Sequence, residues 1–188
     1  MADLRPIDVQ IASLINKLHD ISQKELPRAQ ARALNRSLDA GTTAAIRQVS
    51  RVEAVQQKLV RGRTFKKRAN VNRLVASVRM YHRGVPAIKL TGVRDKGRYR
   101  KGRRGRIGSG VSARGGHGWA GAFIATGKGG KRHVFESDSN GRNLQVIKVD
   151  VRNAFNNAIN PSLRREMNTN YARRLRAELE YRLSRYRV

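Results

Sequence analysis

Cysteine is absent from the 188-residue sequence, which excludes disulfides, thiolate nucleophiles and cysteine-ligated metal sites. That absence suits a chain that works in a reducing cytosol. Acidic residues are scarce: 13 Asp and Glu face 41 Lys and Arg, for a formal net charge of +28. A metal-dependent nuclease needs two or three converging carboxylates, whereas Glu136, Asp138 and Asp150 read as strand-end and turn residues. The histidines, His19, His82, His117 and His133, have no cysteine or acidic cluster beside them at ligand spacing, so neither metal nor cofactor is expected. No phosphate-binding loop or nucleophile elbow is present, and "GSGVSARGG" lacks the strand and helix that a glycine fingerprint requires. No apolar run approaches a membrane span, and MADLRPIDVQ has no secretory pattern. These absences leave a non-enzymatic polyanion binder as the expectation.

What is present falls into three zones of one expected structural domain. Residues 1–60 read as helix: Ile7, Ile11, Leu14, Ile15, Leu18 and Ile21 fall on one stripe that needs a partner. Ser22 and Glu25 have capping-box spacing, with Pro27 placed awkwardly for it, and Ser50 with Glu53 reads as a second cap for a short helix through Leu59. Ala29, Ala33, Leu38, Ala45, Ile46 and Val49 continue a face of mostly small residues. Residues 61–160 change period. Leu74 to Tyr81 alternate, and "GVPAIKLTG", "AGAFIAT", "KRHVFES" and "LQVIKVDV" read as further short strands of one antiparallel sheet of four or five. Residues 161–188 return to helix after Asn160-Pro161-Ser162, with an apolar residue every fourth position from Leu163 to Leu183 and arginines around it. The fold class is therefore α+β: N-terminal helices and a basic C-terminal helix around a small antiparallel sheet. Only 39% of residues are hydrophobic and much of that is alanine, so the core is thin and neighbours are expected to supply stability.

The zone 93–118 carries the charge in its most concentrated form. Arg94, Lys96, Arg98, Arg100, Lys101, Arg103, Arg104 and Arg106 oppose only Asp95, and almost no apolar side chain lies among them. Such an arm is expected not to fold on itself and to order only against a polyanion. Lys58, Arg61, Arg63, Lys66, Lys67 and Arg68 form a second basic patch. Contacts of both kinds engage phosphates without reading bases. Tyr99 is the arm's one aromatic and Trp119 lies just past it, so the target is duplex backbone or an acidic protein surface rather than a stacked single strand. A ribosome- or nucleoid-associated protein would share all of this.

The phrases "RALNRSLDAGTTAAIRQVSRVEAVQQKLVRGR", "GVPAIKLTG", "GAFIAT", "RHVFES" and "VIKVDVRNAFNNAI" occur in order ahead of a basic terminal helix. In that order they resemble the minor tail protein Z family, the tail completion proteins of lambda-type long-tailed bacteriophages, over about residues 27 to 185. The resemblance implies a structural virion protein of the tail neck, assembled in the host cytoplasm. Its implied partners are further copies of itself in a six-fold ring, the tail terminator, tail tube and head–tail connector proteins, and the viral double-stranded DNA. On that reading Ile7, Ile11, Leu14 and Leu18 form the ring interface, and the Arg94–Arg106 arm meets DNA or an acidic neighbouring ring. From the charge pattern alone, purified protein is expected to bind duplex DNA with little sequence preference and an affinity that falls steeply with salt. A filter-binding titration in rising salt checks this, and salt-insensitive binding contradicts it.

Overall fold

The computed structural model describes residues 7–81, 83–99, 106–107, 110–137 and 143–184, and within them the fold is α+β. In chain order the elements begin with α1 (Ile7–Asp20), a π turn (Ile21–Glu25), α2 (Leu26–Val52) and α3 (Gln57–Arg61). The strands are β1 (Thr64–Lys67), β2 (Ser77–Met80), β3 (Val85–Pro86), β4 (Arg94–Asp95), β5 (Arg98–Tyr99), β6 (Arg106–Ile107), β7 (Val111–Ser112), β8 (Gly118–Trp119), β9 (Phe123–Thr126), β10 (Arg132–Ser137), β11 (Leu144–Val146) and β12 (Lys148–Val149). Helix α4 (Arg152–Glu166), a second π turn (Met167–Tyr171) and α5 (Ala172–Leu183) close the chain. Contacts divide it into two compact units, Met1–Thr42 with Lys66–Val78 and Pro161–Val188, and Thr43–Phe65 with Arg79–Asn160.

The first unit is built on antiparallel helices. Proline has no N–H to give, and the chain widens into a π turn just before Pro27, where the Leu26 N–H reaches the Ile21 carbonyl. The helix therefore runs on from α1 into α2, and the Ser22–Glu25 capping box is not used: Ser22 Oγ donates to the His19 carbonyl at 3.1 Å, while Glu25 is buried among arginines. Ala29 and Ala33 are fully buried. Small side chains at these positions let a neighbouring helix come close, and Gly41 is the tightest point: a Cβ there would lie 2.7 Å from Leu163 Cδ2 and 3.2 Å from its Cα.

Ion pairs fix the alignment of that packing. Glu25 accepts from Arg182 at 2.6 Å and from Arg28 at 3.0 Å. Glu178, only 4% exposed, lies 2.7 Å from Arg36 and 3.5 Å from Arg32. Arg174 joins Glu166 at 2.9 Å and the buried Ser37 hydroxyl at 2.9 Å. Residue numbers rise along α2 as they fall along α4 and α5, so the pairs record an antiparallel arrangement. Asn35 completes the unit by bracketing Ala69, donating to its carbonyl at 2.9 Å and accepting its N–H at 2.8 Å.

In the second unit the later half of α2 buries Ala45, Ile46 and Val49, and α4 buries Phe155, Ala158 and Ile159. Val55, Val60, Val85, Val111, Val134 and Val151 complete a core of mostly β-branched residues. Ser50 does not begin a helix. It lies inside α2 and its hydroxyl donates across the helix end to the Val55 carbonyl, after which Ala54 turns at φ 50°. The short helix that follows spans Gln57–Arg61 rather than ending at Leu59. Likewise α4 starts at Arg152, where the Asp150 carboxylate accepts the first helical N–H at 2.8 Å, and runs through Pro161 instead of starting there. The buried Phe155, Ala158 and Ile159 stripe carries the helix up to the proline.

The expected single sheet is replaced by small ones: β1 with β2, β9–β10–β11, β3 with β12, β4–β7–β8, and β5 with β6. Left-handed glycines at 92, 110, 115, 116, 121 and 130 punctuate the chain, and Pro86 shortens "GVPAIKLTG" to a two-residue edge strand followed by a 3-10 turn over Ala87–Lys89. The longest sheet keeps strict register, with Phe135 opposite Phe123 and Val146, and the two phenylalanine rings lie 6.1 Å apart.

The Glu25 pair makes the fold sensitive to acid. Hydrogen bonding from Arg182, with help from Arg28, holds the Glu25 carboxyl below the ordinary glutamate range in spite of burial. A depressed folded-state pKa contributes stability in full above the ordinary value of about 4.3 and loses it as pH falls through the folded-state value. The urea midpoint is therefore expected to drop between pH 5 and pH 3, and Glu25→Gln to remove part of that drop while lowering the midpoint at pH 7.

Candidate nucleic-acid interface

Among its described residues the basic stretch forms paired strands, contrary to the expectation from its composition. Strand β4 pairs antiparallel with β7, Arg94 opposite Ser112 and Asp95 opposite Val111, and β5 pairs with β6, Arg98 opposite Ile107 and Tyr99 opposite Arg106. The Lys96 N–H reaches the Gly110 carbonyl at 2.9 Å between these two pairs, and the Gly110 N–H reaches Ala122. The result is a β-hairpin ribbon. Backbone hydrogen bonds need no apolar side chains, and the ribbon's root is anchored by Val111, which is 1% exposed and pairs with Trp119 of β8.

Asp95, the stretch's single acid, has a structural job. Its two carboxylate oxygens accept the Gly97 N–H at 2.9 Å and the Ile124 N–H at 3.2 Å, closing a local turn and tying the hairpin to β9. Two glycines seat the root. Gly110 takes φ 128°, and at Gly115, φ 82°, a Cβ would lie 2.9 Å from the Val52 carbonyl oxygen. Beside it, His117 stacks parallel to Trp119 at 5.8 Å and lies 3.3 Å from Glu53.

Of the arm's cations, Arg94 and Lys96 are exposed, Arg98 and Arg106 occupy the paired strands, and Arg100, Lys101, Arg103 and Arg104 lie outside the described residues. The second patch is less available than its sequence implies. Arg63 is committed to the fold, donating to the carbonyls of Arg83 at 2.8 Å, Leu59 at 2.9 Å and Gly84 at 3.3 Å. Lys66 and Arg68 share Asp39, at 2.5 and 3.0 Å. Lys58 and Arg61 of the second unit and Lys67 of the first are exposed. In α1, Ile11, Leu14 and Leu18 are exposed, and the Ile7 side chain lies outside the described ones.

Two features had no place in the sequence reading. Phe65 and Tyr81 form an exposed edge-to-face pair at 4.3 Å, a cross-strand partnership that alternation alone would reveal only once the turn between β1 and β2 is known. Glu25 and Glu178 are buried acids, and their signal was rarity: in so basic a chain, an acid inside an apolar helical stripe has arginines to meet. Among the described residues no three His, Cys, Asp or Glu gather at a metal-binding distance, and no helix is long and apolar enough to cross a membrane.

A family profile described as "Prophage minor tail protein Z (GPZ)" matches residues 11–187. A protein of Escherichia phage N15, described as "Tail completion protein", is 33% identical over 138 residues, covering 73% of this chain and 74% of that protein. No solved structure matches the chain significantly.

Removing the Asp95 carboxylate is expected to loosen the hairpin root although it raises the arm's positive charge. Asp95→Ala should cost about 1 kcal/mol or more of stability, as two backbone N–H groups lose their acceptor. Thermal melts followed by circular dichroism check this, and an unchanged or higher midpoint contradicts it.

Proposed function

Because the chain belongs to the prophage minor tail protein Z family, we propose that it completes the head-proximal end of a long-tailed phage tail, as a six-membered ring around the DNA passage. The family makes it a structural component of the virion that works among other tail proteins, and sets aside the ribosomal and nucleoid alternative. Its action in this reading is joining and positioning, without catalysis: the ring completes the surface that receives the filled head, and its cations hold the DNA end at the tail entrance.

The observation that carries the DNA contact is the hairpin rooted at β4 and β7. Its described residues already pair as a ribbon in the single chain, with Arg94 and Lys96 exposed at the base, and Arg100, Lys101, Arg103 and Arg104 follow β5 in the sequence. A two-stranded ribbon is narrow enough to lie along a duplex groove, and preformed pairing spares part of the ordering cost of binding. In a ring, copies of the hairpin concentrate like charge in one zone, which a dense polyanion neutralises. The small-residue helix packing and thin core fit a subunit that neighbours stabilise.

The test is a full-length chain with Arg98, Arg100, Arg103 and Arg104 replaced by Ser. It is expected to fold with unchanged helical circular dichroism and to bind duplex DNA with a salt slope reduced by roughly 3 to 4. In infected cells it should leave heads and tails unjoined or the DNA end misplaced. Normal infectivity and an unchanged salt slope would overturn the proposal.

A further inference from the structure

The first unit holds two apolar surfaces that nothing in the described chain covers. One is α1, where Ile11, Leu14, Ile15 and Leu18 are 50%, 59%, 58% and 60% exposed. This helix has no substantial packing partner among the described elements beyond the turn that continues it. The other is a groove of about 310 Å³ lined by Leu34, Leu38, Leu74, Val75, Leu163 and Met167. Leu74, Val75 and Met167 are 39%, 55% and 38% exposed there. Its volume is about twice the ~150 Å³ of a cavity that takes a benzene ring, so it has room for about two leucine-sized side chains. Leu14 and Leu18, one turn apart, are such a pair.

We infer that α1 of one copy seats in this groove of the next copy. A chain cannot fill its own groove this way. Helix α1 continues through the π turn into α2, with helical dihedrals at Asp20 and Leu26 on either side of the turn, and α2 itself lines the groove with Leu34 and Leu38. Along such a rod Leu18 and Leu34 are roughly 24 Å apart, 16 residues at 1.5 Å each. The rod cannot fold back on a groove that its own later turns help to form.

Charge selects the partner as well. Residues 1–20 hold three acids (Asp3, Asp8, Asp20) and two bases (Arg5, Lys17), whereas residues 21–188 hold ten acids and 39 bases. The N-terminal stretch is thus one that a strongly basic neighbour does not repel. Arg73 and Arg164, next in sequence to groove residues Leu74 and Leu163, are exposed cations beside the groove. The contact is head-to-tail: one surface of a subunit meets a different surface of its neighbour, which builds a closed ring when the rotation closes.

This rests on the self-association proposed above, and the experiment separates the two. The chain has no native cysteine, so introduced thiols react alone. Full-length Leu14→Cys and Val75→Cys chains are purified separately, then mixed and treated with a short bismaleimide. Light scattering on the unmodified chain reports its mass in parallel. The expected result is a multimer by light scattering, with a two-chain product in the mixture and in neither sample alone. A multimer without the mixed product, or Leu14→Cys chains joined to one another, overturns the α1 seat and leaves the ring standing. A monomer at every concentration overturns both.

Discussion

Like-charge repulsion is the constraint that the rest of this structure answers. A chain with 41 Lys and Arg against 13 acids gains little from bringing its cations together, so each acid's position matters more than in a balanced protein. The fold places its acids where they do most. Glu25 and Glu178 are buried between helices, each facing two arginines, and Asp39 gathers Lys66 and Arg68. Asp95 pins the root of the most charged segment through backbone hydrogen bonds. Buried ion pairs are weak sources of net stability, yet removing one partner strands the other, so these acids act as alignment pins for helices whose alanine faces would otherwise slide.

The alanine-rich packing and the charge belong together. Ala29, Ala33 and Gly41 let helices approach closely enough for short arginine-to-glutamate contacts, and the same small residues leave little apolar burial per subunit. What is left over faces outward. The α1 stripe, the groove beside Leu74 and the cationic hairpin are each costly for a lone molecule in water and each useful in an assembly. In the proposed ring the apolar surfaces would meet a neighbouring subunit and the hairpin a polyanion.

Much of this was legible before the fold. The helical stripes of α1 and α2, the switch to strand period after residue 60, and the return to helix all follow from spacing, and the order of quoted phrases points to the family. Local chemistry misled at three kinds of place. Pro27 read as awkward for the helix start at Ser22–Glu25, and Pro161 read as part of a helix boundary, but a π turn absorbs the first and a buried stripe leads through the second. Ser22 and Ser50 read as caps, though each sits in continuous helix and its hydroxyl bonds a carbonyl instead of opening a turn. The arm's paired strands went unread because side-chain composition says nothing about backbone pairing. The split of one sheet into several was hidden as well, since a glycine's sign of φ depends on what lies across from it. Within the second patch, sequence could not distinguish Arg63, committed to three carbonyls, from Arg61, which is exposed.

The account comes down to where in the particle this charge is used. Electron microscopy of lysates from a phage that lacks only this protein tests that most directly. The account predicts tails of normal length standing unjoined beside DNA-filled heads. Complete, joined particles, or tails of abnormal length, would contradict it.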